Sequence, residues 1–137
     1  MDVVFLIGRV LFGMIFVMSG LSVHFKRESV EYARAYRAPA PELLVPLSGV
    51  AIIAGGLSVI LGVWADLGAL VLVAFLIPTA FIMHAFWRES EEQMEQIQMA
   101  QFLKNIALAG AALIVFYLYN QSQDLPLSIT DALFEPW

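Results

Sequence analysis

The 137-residue chain has no cysteine and few charged residues. Without a thiol it forms no disulfide, runs no thiol relay of its own and builds no thiolate metal site. Charged residues make up 14% and hydrophobic residues 61% of the chain, too little polar surface to enclose so many apolar side chains in a water-soluble domain of this size. No Walker loop, dinucleotide fingerprint, His-Glu-x-x-His or haem-attachment motif is present. Two histidines lack a convincing neighbouring carboxylate, so no metal site is expected, and nothing points to nucleic acid.

What the chain does have is four long apolar runs, at residues 3–23, 43–64, 67–86 and 102–119. Each is close to the ~20 residues a helix needs to cross a hydrocarbon core about 30 Å thick. The expected fold is therefore all-α: an integral membrane bundle of four transmembrane helices over 1–119, followed by a short tail over 120–137. The first run lacks a basic segment before it and is too long for a signal peptide, so it reads as a retained helix.

The charges orient the bundle. Lys26, Arg27, Arg34, Arg37, Arg88 and Lys104 fall in or beside the first and third loops. The opposite side has Arg9 alone among basic residues, with Asp66, Asp124, Asp131 and Glu135. The positive-inside rule then places loops one and three in the cytoplasm and both termini outside the cell.

The first loop ends in Ala38-Pro39-Ala40-Pro41, which favours an extended segment, and Pro46 reads as a first-turn proline of the second helix. The residues from Arg88 to Gln101 read as a solvated, acidic extension of the fourth helix. Ala51 with Gly55, Ser58 with Gly62, and Ala107 with Ala111 are small pairs four apart and mark candidate contact faces, while Gly13 and Gly20 share one stripe of the first helix. Phe134 and Trp137 suit an interfacial anchor.

Ionisable groups within spans are costly and call for a named partner. Arg9 either snorkels or pairs with Asp2 or Asp66, or else holds an anionic or quinone headgroup. His84, Trp87, Lys104 and Asn105 gather by topology at the opposite end, with Ser19, His24 and Ser48 as secondary candidates. A neutral imidazole exchanges protons near neutral pH, and a lysine or amide hydrogen-bonds a carbonyl oxygen. That combination suits quinone or proton handling, or an ordinary interhelical hydrogen-bond cluster.

The same residues carry a family resemblance. Gly8-Arg9-Val10-Leu11-Phe12-Gly13 through Met18-Ser19-Gly20 resembles the opening of DoxX-type membrane proteins. So do Ala38-Pro39 leading to Pro46-Leu47-Ser48-Gly49, Gly55-Gly56-Leu57 through Leu61-Gly62, His84-Ala85-Phe86-Trp87, and Gln101 through Asn105 to Gly110, in order over about residues 7–112. The resemblance implies a four-helix bundle in a bacterial plasma membrane. It implies no intrinsic cofactor, but contact with a quinone, and partnership with soluble or membrane redox proteins or with further copies of the chain. Some such proteins are subunits of a thiosulfate:quinone oxidoreductase, and others are membrane parts of an assembly joining superoxide defence to thiol and sulfur metabolism.

Three readings follow. The first is a small membrane subunit or anchor of a redox assembly, with no activity of its own. The second is a quinone-linked oxidoreductase subunit in which His84 handles a proton while Arg9 or Lys104 polarises a quinone oxygen. The third is a small-molecule transporter or lipid-binding protein, which four short helices without an evident inverted repeat make less economical.

Overall fold

Five α-helices follow one another in the computed structural model: α1 (Asp2–Ser22), α2 (Arg27–Ala35), α3 (Pro41–Leu61), α4 (Ala65–Met83) and α5 (Glu92–Gln121). A short 3-10 turn, Phe86–Arg88, separates α4 from α5. The structure describes residues 1–122 and 125–135; Asp124 and Trp137 lie outside them. Four helices (α1, α3, α4 with its following turn, and α5) are long and apolar enough to cross a membrane.

The 21 residues of α1 and of α3 each give about 31 Å of helix, close to the thickness of a hydrocarbon core. The 30 residues of α5 give about 45 Å, so its acidic first turns stand clear of the lipid. The polar stretch before 102 and the apolar run after it are thus one continuous helix.

The first loop holds a short helix ahead of its prolines, while residues 38–40 are non-helical. Its residues fold as α2, because Arg27-Glu28-Ser29-Val30-Glu31-Tyr32-Ala33 presents Val30 and Ala33 on one side and charges on the other, with Arg27 and Glu31 paired at 3.1 Å. The prolines act after it. Pro41 opens α3, so Pro46 lies in the second turn of that helix instead of the first. Its missing N–H leaves the Glu42 carbonyl without an intrahelical donor, at an end of the helix where Glu42 is exposed.

Spanning helices pack in chain order, α1 on α3, α3 on α4 and α4 on α5. Phe16, Ile52, Val59, Leu72, Leu76 and Ala112 are among the side chains that form the shared core. In lipid no hydrophobic gain separates helix contact from lipid contact, so close backbone approach supplies the packing energy. A Cβ at Gly13 would sit 2.7 Å from the Gly56 carbonyl oxygen, and one at Gly20 would sit 2.9 Å from that of Gly49. The glycine stripe of α1 is therefore a backbone-to-backbone contact with α3. The Ala107–Ala111 pair is not the contact face of α5: Ala107 is exposed, and the buried stripe is Gln98, Asn105, Ala109 and Ala112.

Candidate functional site

The structure divides the nominated residues between two ends. His84, Trp87, Lys104 and Asn105 belong to the end formed by α2, the 86–91 connection and the start of α5. Arg9 lies at the other end, beside Gly62, Tyr119 and the tail. A single site joining Arg9 to His84 is excluded by this arrangement.

At the loop end, α4 stops at Met83, and His84 follows as its C-terminal cap residue. The His84 Nδ1 lies 2.8 Å from Gln98 Oε1. Gln98 is buried, and its amide donates to the hydroxyls of Tyr32 (2.7 Å) and Tyr36 (2.8 Å), four residues apart on α2 and its cap. Tyr36 in turn donates to a Glu89 carboxylate oxygen at 2.8 Å.

The direction of these bonds follows from Glu89. A carboxylate only accepts, so Tyr36 spends its hydrogen there and must accept from Gln98. Gln98 therefore presents its amide nitrogen to the tyrosines and its oxygen to the imidazole. Neutral His84 then carries its hydrogen on Nδ1, leaving Nε2 as a free acceptor. Burial first, then the hydrogen bond to Glu89, push the Tyr36 phenol up to about 12.

Asn105 lies seven residues beyond Gln98 on the same buried stripe, about 10 Å deeper along α5. It is 5% exposed, and its side-chain amide has no hydrogen-bond partner among the described residues. Lys104 is exposed and donates to Gln101 at 2.5 Å. Trp87 is half exposed and packs with Phe81, Phe86 and Phe102 into an aromatic cluster.

The secondary candidates stay apart from this cluster. His24 Nδ1 faces the Ser19 carbonyl at 3.1 Å, and its ring packs on Phe75. Ser48 donates to the Val45 carbonyl of its own helix. Three residues of the network, Tyr32, Tyr36 and Gln98, escaped the sequence reading, as did the role of Glu89. The spacing of seven between Gln98 and Asn105 was the available signal, two turns apart on one helical face.

At the tail end, Arg9 is 2% exposed. Its Nη1 donates to Tyr119 (2.5 Å) and Ser128 (2.7 Å), and its Nη2 to the Leu127 carbonyl (2.6 Å). Neither Asp2 nor Asp66 pairs with it, and Nε is buried with no partner among the described residues. Asp66, fully buried, instead accepts from the backbone of Leu133 (3.0 Å) and Phe134 (2.8 Å). The tail is thus laid across the end of the bundle, with further bonds from Ile129 and Thr130 to the Gly62 carbonyl and from Trp64 N–H to Thr130. The Phe5 ring lies 5.2 Å from the guanidinium carbon. A desolvated cation–π contact offsets about 2 kcal/mol, against an ion desolvation penalty of several.

A groove of about 510 Å³ runs between α3 and α4, lined by apolar and small side chains such as Ala54, Leu57 and Leu67. It contains none of the nominated residues.

The DoxX family model matches residues 4–85. The chain belongs to the DoxX family. No curated protein and no solved structure matches it. The four apolar helices and this membrane family together make it a multi-pass membrane protein. Within this DoxX chain, Arg9 and His84 fall inside the matched residues, whereas Trp87, Lys104 and Asn105 lie beyond them, although the resemblance read from sequence runs on to about 112.

Proposed function

We propose that this DoxX protein is a membrane subunit of a redox assembly in a bacterial plasma membrane, and that its loop end binds the headgroup of a quinone. The observation that carries the reading is the hydrogen-bonded chain from His84 through Gln98 and Tyr36 to Glu89. It holds one imidazole in one tautomer with a free acceptor nitrogen, on the same end as Asn105, whose amide has no partner among the described residues. The two groups complement the two forms of a quinone: Asn105 would donate to a carbonyl oxygen of the oxidised form, and His84 Nε2 would accept from a hydroxyl of the quinol.

A bound quinone supplies two-electron, two-proton chemistry. The residues position the headgroup and hold a proton at Nε2 of His84. That proton stays on the imidazole, because the Gln98 amide does not pass protons onward. Lys104 adds a cation at the rim, and Trp87 with Phe102 gives an aromatic surface. Arg9 takes no part at this end. The basic first and third loops support a cytoplasmic placing for it and an extracytoplasmic placing for both termini.

Purification from the native host in gentle detergent, with mass spectrometry of retained proteins, tests the subunit reading. Stoichiometric redox proteins are the expected result. A chain that purifies alone, at every detergent concentration that keeps it folded, contradicts it.

A further inference from the structure

The tail end holds a buried cation that the described residues do not neutralise. No carboxylate lies within 4 Å of Arg9 among them, and three of its five N–H hydrogens are used, all on neutral oxygens. The unused donors are the Nε hydrogen and one on Nη2. Tyr119 and Ser128 are 2.7 Å apart, so one donates to the other and one hydroxyl hydrogen is left over. Two guanidinium hydrogens and one hydroxyl hydrogen are therefore left without an acceptor among the described residues.

We propose that Arg9 with Tyr119 forms a binding site for an anionic oxygen group, a phosphate or carboxylate, and that Leu127 and Ser128 of the tail hold its place when it is absent. Leu127 supplies a carbonyl oxygen to Nη2 and Ser128 a hydroxyl oxygen to Nη1, the positions two oxygens of a bidentate oxyanion take on a guanidinium fork. Leu127 does so with φ at 56°, a left-handed conformation unusual for a branched side chain. Beyond it the tail is anchored independently, through Gly62, Trp64 and Asp66. Residues 127–128 can thus lift while 129–134 stay seated. Gly62 keeps room for the exchange: a Cβ there would lie 2.6 Å from both Arg9 Nη1 and Ser128 Oγ. This site is at the opposite end from the quinone site, so either stands without the other.

The chain has no cysteine, so a single introduced one takes a nitroxide label uniquely. Leu127→Cys reports the displaceable segment and Leu133→Cys the anchored one. Each full-length labelled protein is placed in nanodiscs of phosphatidylcholine, of phosphatidylcholine with phosphatidylglycerol, and of phosphatidylcholine with added inorganic phosphate. The expected result is loss of the immobile spectral component at position 127 but not at 133. Loss with phosphatidylglycerol alone assigns the ligand to a lipid headgroup, and loss with phosphate assigns it to a soluble anion. No spectral change with either anion overturns the proposal, as does an equal change in Arg9→Gln. Release in phosphatidylcholine alone by Asp124→Asn also overturns it, because the counter-charge is then internal. Should Arg9→Gln fail to fold, Arg9→Lys keeps the charge without the fork. A response in that variant only at higher anion concentration supports the site, and an unchanged midpoint contradicts it.

Discussion

Gln98 meets His84 with its amide oxygen, 2.8 Å from Nδ1, because both of its amide hydrogens are taken by Tyr32 and Tyr36. The tautomer of a histidine at the membrane edge is thereby set by a carboxylate three bonds away, on the connection before α5. This polarity is what gives the loop end a chemical character beyond that of an interhelical clasp.

Replacing Gln98 with leucine removes the central link. His84 is expected to lose its fixed Nδ1–H form, seen as averaged ¹⁵N imidazole shifts, and Tyr36 loses its amide donor. The loss of stability is about 1 kcal/mol, since Tyr32 is exposed and Tyr36 and His84 are only part-buried. Unaltered ¹⁵N shifts contradict the hydrogen-bond order.

The Tyr36 phenol, pushed up to about 12, predicts an alkaline transition. A folded value raised above the unfolded value of about 10 favours folding while the phenol is neutral. That contribution is complete below pH 10 and is lost as pH rises toward 12. Phenolate absorbance in difference spectra against Tyr36→Phe should titrate late, and Glu89→Gln should bring it earlier.

Gly62→Ala is expected to loosen the tail while the four helices persist. Its φ of 67° already disfavours alanine, and the new Cβ meets Arg9 and Ser128 at 2.6 Å. The backbone cost alone is about 1 kcal/mol or more. Faster maleimide labelling of Ile129→Cys with unchanged far-UV circular dichroism is the expected pair of results.

Cysteines introduced at Glu92 and Asp131 should label from opposite faces of intact cells, because the start of α5 and the tail lie at opposite ends of the bundle. Labelling from one face contradicts the arrangement of spans.

The four spans were legible because most of their side chains are ones that lipid also accepts, so an apolar run of sufficient length decides them. Gly13 and Gly20 were legible as a contact stripe for a similar reason: helical spacing alone aligns them. The site was less so. α2 is nine residues long and its helical face competes with two following prolines, so Tyr32 and Tyr36 carried no signal from sequence. Gln98 sits in an acidic stretch that reads as solvated, and only the fold of α2 over it makes it buried. Arg9 was visible as an isolated charge, but its partners come from residues 119, 127 and 128, far along the chain, and no local pattern announces a tail that folds back.

The quinone retained per protein after gentle purification, against bulk membrane lipid, reads the occupancy of the loop end. Wild type is expected to hold quinone above the bulk ratio. His84→Ala and Asn105→Leu should each lose it while still assembling with the same protein partners. Quinone at the bulk ratio in wild type, or retained unchanged in both variants, contradicts the account.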